Sequence, residues 1–150
     1  MPEPAQVRLF ASCTAVAWLP LDRRQIRAAL QDMAAALAWA DCPLPGPVEA
    51  HLVDDASISA ANWQHLGCMG PTNVLSFPQQ GGLPGELLLS LDTLRRECLL
   101  YGQDLTEHLL RLLAHGMAHL AGLDHGPEMD RLCALCQEGA EAGLSAAFGD

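Results

Sequence analysis

Three histidines within eleven residues, His115, His119 and His125, carry the chemistry most legible in this chain. His115 and His119 are four apart in a stretch of helical periodicity. That spacing turns the chain by about 400° and sends both imidazoles from one face, about 6 Å apart along the axis. Two such nitrogens can meet one ion at about 2.0–2.1 Å each. Gly122 can take a left-handed conformation and end the helix, so the chain doubles back and brings His125 to the same ion. Three neutral nitrogens leave a fourth tetrahedral position for water, the arrangement of a catalytic rather than a structural zinc. The expectation is one zinc ion per chain at the centre of a hydrolytic site, although imidazoles also suit copper, nickel and iron.

The spacing equals that of the long zinc-peptidase motif H-E-x-x-H-x-x-G-x-x-H. Gly116, however, stands where that motif carries the glutamate that takes a proton from the zinc-bound water. Asp124, beside His125, could orient that imidazole or accept a proton. His108 lies seven before His115, roughly on the same face, as a supporting group or an ordinary amphipathic position. His51 and His65 receive no role from sequence. Six cysteines are spread along the chain, and the one close pair is Cys133-x-x-Cys136. A structural zinc wants four ligands, so the cysteines read as reduced thiols acting mostly as small buried hydrophobes.

The elements that must position these groups follow from periodicity and breakers. Val7 to Phe10 reads as a strand. Arg23 to Ala40 reads as a helix capped by Asp22, and the proline-rich residues 42–47 end it. Val48 to Val53 is a strand and Ala56 to Leu66 a short helix. Thr72 to Phe77 and Gly85 to Leu91 are two further strands. Asp92 is expected to cap a helix to about Tyr101, stopped by Gly102. Asp104 to Ala121 is a strong helix ended by Gly122, and Glu128 to Leu144 a C-terminal one. The order predicts an α+β fold: a small mixed four-stranded sheet packed with helices, with the zinc site on a helix and the following turn.

Length and composition bound what the chain can be. With 150 residues, half of them hydrophobic, residues 1–150 are expected to form a single globular domain. No apolar run approaches the ~20 residues of a membrane span. Phe10-Ala11-Ser12-Cys13 faintly resembles a lipoprotein cleavage site, but Glu3 precedes it and no apolar stretch of about 7–15 residues does. The expectation is therefore a cytoplasmic protein. The formal net charge is −10, and every basic residue apart from histidine is arginine. Such a chain is a poor nonspecific binder of nucleic acid, so any nucleic-acid role must rest on a local site.

The segment His115-Gly-Met-Ala-His119-Leu-Ala-Gly-Leu-Asp-His125 resembles the H-G-x-x-H-L-x-G-x-D-H hallmark of the YbeY-type endoribonucleases, also called rRNA maturation factors. Pro71 to Pro78 (Pro-Thr-Asn-Val-Leu-Ser-Phe-Pro) is similar to that family's P-T-[DN]-V-L-S-F-P strand. Gly85-Glu86-Leu87-Leu88-Leu89 is similar to its Gly-Asp and apolar strand, with Glu in place of Asp, and Asn62 also fits. The resemblance covers about residues 54–125. It implies an α+β fold with zinc at the edge of a small sheet, and single-stranded RNA as substrate. It further implies a role in rRNA processing, ribosome maturation and quality control, in a bacterial cytosol with ribosomal partners. One position departs: Leu66 occupies the place of an arginine that the resemblance implies contacts RNA phosphate or stabilises its developing charge, with His65 and Arg95 as possible substitutes.

Together these readings predict metal-assisted phosphodiester hydrolysis. Thr72, Asn73 and Ser76 offer hydroxyl and amide groups for substrate near the presumed cleft, and Asp124 and Ser76 are the candidate catalytic side chains. An RNA 2′-hydroxyl nucleophile is equally compatible. The competing readings are a ribosome-assembly binding factor with a mainly structural zinc, which Leu66 favours, and a zinc-peptidase relative.

Overall fold

The computed structural model describes residues 3–147. In chain order these form β1 (Val7–Ala11), a 3-10 turn (Thr14–Trp18), α1 (Arg23–Trp39), β2 (Val48–Val53) and α2 (Asp55–Leu66). Then follow β3 (Val74–Phe77), β4 (Gly85–Ser90), α3 (Leu91–Tyr101), α4 (Leu105–Leu120) and α5 (Pro127–Ala147). The strands form one mixed sheet in the order β1-β2-β4-β3. β1, β2 and β4 are parallel, and β3 runs antiparallel to β4 along an edge. This is the expected α+β architecture with a mixed four-stranded sheet.

Strand alternation sorts the two faces of the sheet. Val48, Ala50 and Leu52 of β2 are buried, as are Leu87 and Leu89 of β4; they join the core built with α1, α4 and α5. Glu49 and His51 point to the other face, which α2 covers in part. Helix α1 starts with a full capping box: the Asp22 carboxylate accepts from the Gln25 backbone at 2.8 Å, and the Gln25 side chain accepts from the Asp22 N–H at 2.9 Å. Each such device stabilises a helix by about 1 kcal/mol. Ile26, Leu30, Met33 and Leu37 follow at helical spacing and are fully buried.

The cap of α3 differs from expectation. Strand β4 runs straight into the helix, so Ser90 rather than Asp92 is the N-cap, accepting from the Thr93 N–H at 3.3 Å. Asp92 is free to serve another helix and accepts from the Asp55 N–H at 2.9 Å, in the first turn of α2. The strand expected from Thr72 starts two residues later, at Val74. The 3-10 turn had no periodic signal, being too short to show one.

Helix α4 is the element that matters most for the site. Asp104 caps it, accepting from the Glu107 N–H at 3.0 Å. Leu109, Leu110, Leu113, Ala114 and Met117 are fully buried between the sheet and the other helices. Gly116 faces the sheet so closely that a Cβ there would lie 2.5 Å from Leu87 Cδ1 and 3.2 Å from Ser76 Oγ. That approach fixes the helix against β3 and β4.

Candidate metal centre

His115 and His119 leave α4 on one face, and the turn after the helix supplies the third imidazole. Ala121 closes the helix, and Gly122 takes φ +93°. The Gly122 N–H donates to the His119 carbonyl at 2.9 Å and the Leu123 N–H to the Ala118 carbonyl at 3.1 Å. The chain therefore reverses, and His125 returns to the helix. The ring centroids are 4.7 Å apart for His115 and His119, 5.3 Å for His115 and His125, and 5.1 Å for His119 and His125. One nitrogen from each lies within 4.8 Å of the others, so the three could hold a metal ion.

The donor chemistry fits such an ion. The Nε2 atoms of His115 and His119 are 3.2 Å apart. Two nitrogens bound tetrahedrally to one ion at about 2.0–2.1 Å would be about 3.4 Å apart. His119 donates from Nδ1 to the Leu123 carbonyl at 3.0 Å, which leaves Nε2 unprotonated and aimed at its neighbours. Burial first, then the neighbouring His119 and His125, hold the His115 imidazole below its ordinary range. His115 therefore stays neutral, as a ligand must, near pH 7. Asp130, in the first turn of α5, opposes that shift weakly.

A cavity of about 320 Å³ opens beside the pair, lined by Asn73, Val74, Ser76, Arg111, Leu112, His115 and His119. Of the substrate-side residues singled out from sequence, Asn73 and Ser76 line it. Ser76 donates its hydroxyl to the Gly116 carbonyl at 3.1 Å. The Asn73 amide donates to Glu97 at 3.3 Å, and its oxygen accepts from the Val74 N–H at 2.7 Å. Thr72 is half-buried and outside that lining, and Asp124 is exposed in the turn. His108 is buried and bonded to Glu97 at 2.9 Å.

Leu66, His65 and Arg95 lie elsewhere. Leu66 and His65 line a separate groove of about 590 Å³ with Phe77, Leu83 and Glu86. Phe77 and Glu86 are paired neighbours on the sheet face opposite Ser76 and Leu87. Arg95 sits over the Trp18 ring at 5.4 Å. Sequence reasoning missed Arg111: its position four before His115 puts it on the same helix face, but that spacing alone does not separate it from an ordinary solvated charge. It also missed Asp130, which no local spacing reveals. A second set, Glu49, His51 and Glu86, also brings ligand atoms within 4.8 Å on the opposite face. Glu49 there faces Arg8 at 3.9 Å. Cys133 and Cys136 belong to neither set among the described residues. Cys136 is fully buried, and burial pushes its thiol up to about 12.

The fold and the site define an α+β protein with a three-imidazole centre built on one helix and its following turn. The family model described as "Endoribonuclease YbeY" matches residues 19–137. The endoribonuclease YbeY of Nitratidesulfovibrio vulgaris is 44% identical over 139 residues, covering 76% of this chain and 86% of its own length. That of Oleidesulfovibrio alaskensis is 40% identical over 141 residues, covering 77% and 81%. The solution structure of TM1509 from Thermotoga maritima shares the fold with a TM-score of 0.65 at 20% identity, covering 95% of this chain and 94% of that one. The chain belongs to the YbeY endoribonuclease family.

Proposed function

We propose that this protein is a zinc-dependent, single-strand-specific endoribonuclease acting in rRNA processing, ribosome maturation and quality control. Residues 1–150 act as one domain in the cytoplasm, with the ribosome or ribosomal proteins as partners. His115, His119 and His125 hold one zinc ion. The observation carrying this reading is the convergence of the three imidazoles beside an open cavity, in a chain of this family. When bound, the ion supplies Lewis acidity and lowers the pKa of water toward neutrality.

The chain's own residues do the rest. The Leu123 carbonyl orients His119. The β3 approach, through Asn73 and Ser76, forms the wall opposite α4 against which an RNA backbone lies. Thr72 extends that wall toward the substrate. Ser76 spends its proton on the Gly116 carbonyl, so it meets substrate as an acceptor. Asp124, exposed beside His125, is the side chain that would orient that imidazole or accept a proton. Gly116 disfavours the peptidase alternative on geometry as well as chemistry, because a side chain there would run into Leu87.

The test pairs the wild type with His119→Ala, measuring zinc by elemental analysis and cleavage of single-stranded rRNA fragments. The wild type is expected to hold about one zinc, as three imidazoles and one open position imply, and to cut RNA. The variant is expected to do neither. Zinc without cleavage in the wild type would favour the assembly-factor reading, for which the uncharged Leu66 is the supporting observation.

A further inference from the structure

Helix α4 carries more than the histidines. Arg111, His115 and His119 repeat at intervals of four, so they form one row along the same face. Arg111 stands about 6 Å before His115 along the axis. Arg111 is one of the residues lining the cavity.

Its guanidinium is held in place. NH1 donates to Gln103 Oε1 at 2.6 Å and to His108 Nδ1 at 3.1 Å. Because Nδ1 accepts, the His108 proton is on Nε2, which donates to Glu97 Oε1 at 2.9 Å. Glu97 also accepts from the Asn73 amide. The line Asn73, Glu97, His108, Arg111 joins the approach to β3, helix α3 and helix α4. The Glu97 carboxylate makes the far side of the imidazole a better acceptor, which steadies the arginine. Arg111 uses the N–H groups of NH1 in this way, leaving Nε and NH2 available for a bidentate anion.

Other arginines are committed elsewhere. Arg8 faces Glu49, Arg96 pairs with Asp55, and Arg131 pairs with Glu128. Arg23 donates to the Ala11 carbonyl, and Arg95 covers Trp18. In a chain of net charge −10 with no lysine, an RNA backbone needs a local cation beside the centre. Leu66 offers none, and it lies in the other groove.

We propose that Arg111 forms a phosphate subsite: it binds the nonbridging oxygens of an RNA phosphodiester next to the three histidines, with Glu97 and His108 as positioning residues. This rests on the RNA-cleaving reading above. The test measures binding of a fluorescent single-stranded oligouridine by anisotropy across a salt series, for the zinc-loaded full chain. The variants are Arg111→Ala, Arg111→Lys, Glu97→Gln, the double variant, and Arg131→Ala as a charge control away from the cavity. Zinc content is measured for each.

Arg111→Ala is expected to weaken binding about 10- to 100-fold, as loss of a charged hydrogen-bonded contact does. The slope of log affinity against log salt is expected to shrink by about 0.7, the value for one phosphate on a single strand. Zinc content stays unchanged, Arg111→Lys recovers part of the affinity, and Arg131→Ala behaves as wild type. Glu97→Gln weakens binding less, and adds little on top of Arg111→Ala. A wild type that binds RNA, beside an Arg111→Ala variant with the same affinity and salt slope, overturns the subsite and leaves the nuclease reading standing. A zinc-loaded wild type that neither binds nor cuts RNA overturns both.

Discussion

Replacing Gly116 by alanine should destabilise the protein, although a helical Gly→Ala change ordinarily helps. In an open helix the exchange contributes about 1 kcal/mol of added stability. Here the new carbon would lie 2.5 Å from Leu87 Cδ1, 3.0 Å from Leu87 Cγ and 3.2 Å from Ser76 Oγ. Carbon atoms in good contact sit about 3.5–4.0 Å apart, so something must yield by about 1 Å. Leu87 is fully buried in the central strand β4 and cannot swing into solvent. Overpacking of this kind costs about 2–3 kcal/mol, the upper part of its usual range. The net effect is a loss of about 1–2 kcal/mol, which lowers Tm by about 2–8 °C in a chain of this size. Thermal unfolding followed by circular dichroism measures it directly. Gly116→Glu should do far worse, because it adds a buried carboxylate to the same clash. A Gly116→Ala variant that melts at or above the wild-type temperature would refute the close approach of α4 to the sheet. With it would go the reason given for a glycine between the first two histidines.

The thiols should react in order of exposure: Cys68 is exposed, while burial pushes Cys136 up to about 12. A thiol reagent at pH 8 is therefore expected to label Cys68 promptly and Cys136 only on unfolding; prompt labelling of Cys136 would show that α5 is not packed as described. Cys133→Ser and Cys136→Ser should leave zinc stoichiometry unchanged, and a fall in either would put the pair in the metal site. Asp55 gives an acid-side prediction. Burial alone would raise its pKa, but hydrogen bonds from Thr93 and Ser90, both 2.7 Å, and from Arg96 at 3.0 Å hold it below the ordinary carboxylate range. A lowered folded-state value contributes stability above the unfolded pKa of about 3.9, lost as pH falls through the folded value. Asp55→Asn is thus expected to lower Tm at pH 7 and to flatten its decline below about pH 4; an unchanged acid limb would remove Asp55 from that role.

The helices were legible where short-range chemistry decides them. Asp22 announces the start of α1, and Gly102 the stop of α3. Strand β2 was legible to the residue, because Val48, Ala50 and Leu52 alternate against Glu49, His51 and Val53. What sequence could not give is the partner across space. Asp92 has the right residue type for a cap, yet its carboxylate accepts from the first N–H of α2, whose N-cap is Asp54, in a contact spanning 37 residues. Ser90 took its place only because β4 enters α3 without a linker.

The same distinction divides the site. The histidine triad is local: one helical repeat and one glycine turn contain it, so eleven residues suffice to read it. The cavity beside it is not local, because one wall is the approach to β3 and the other is α4, brought close where Ser76 pairs with Leu87 and Gly116 presents a bare Cα. The family resemblance put a phosphate contact at the position of Leu66, with His65 as a substitute, but the sequence could not place either near the histidines. Pairing across β3 and β4 sends Phe77 and Glu86 to the opposite face, and His65 goes with them, its ring 4.8 Å from Phe77. Arg111 stayed hidden for the converse reason. Four residues before a histidine, an arginine on an amphipathic helix reads as an ordinary solvated charge. Only the folded chain shows Glu97 and His108 behind it and the histidines beside it. A motif therefore locates the ion-binding atoms, whereas the groups that would meet a substrate are decided by which face of a four-residue edge strand turns toward the helix.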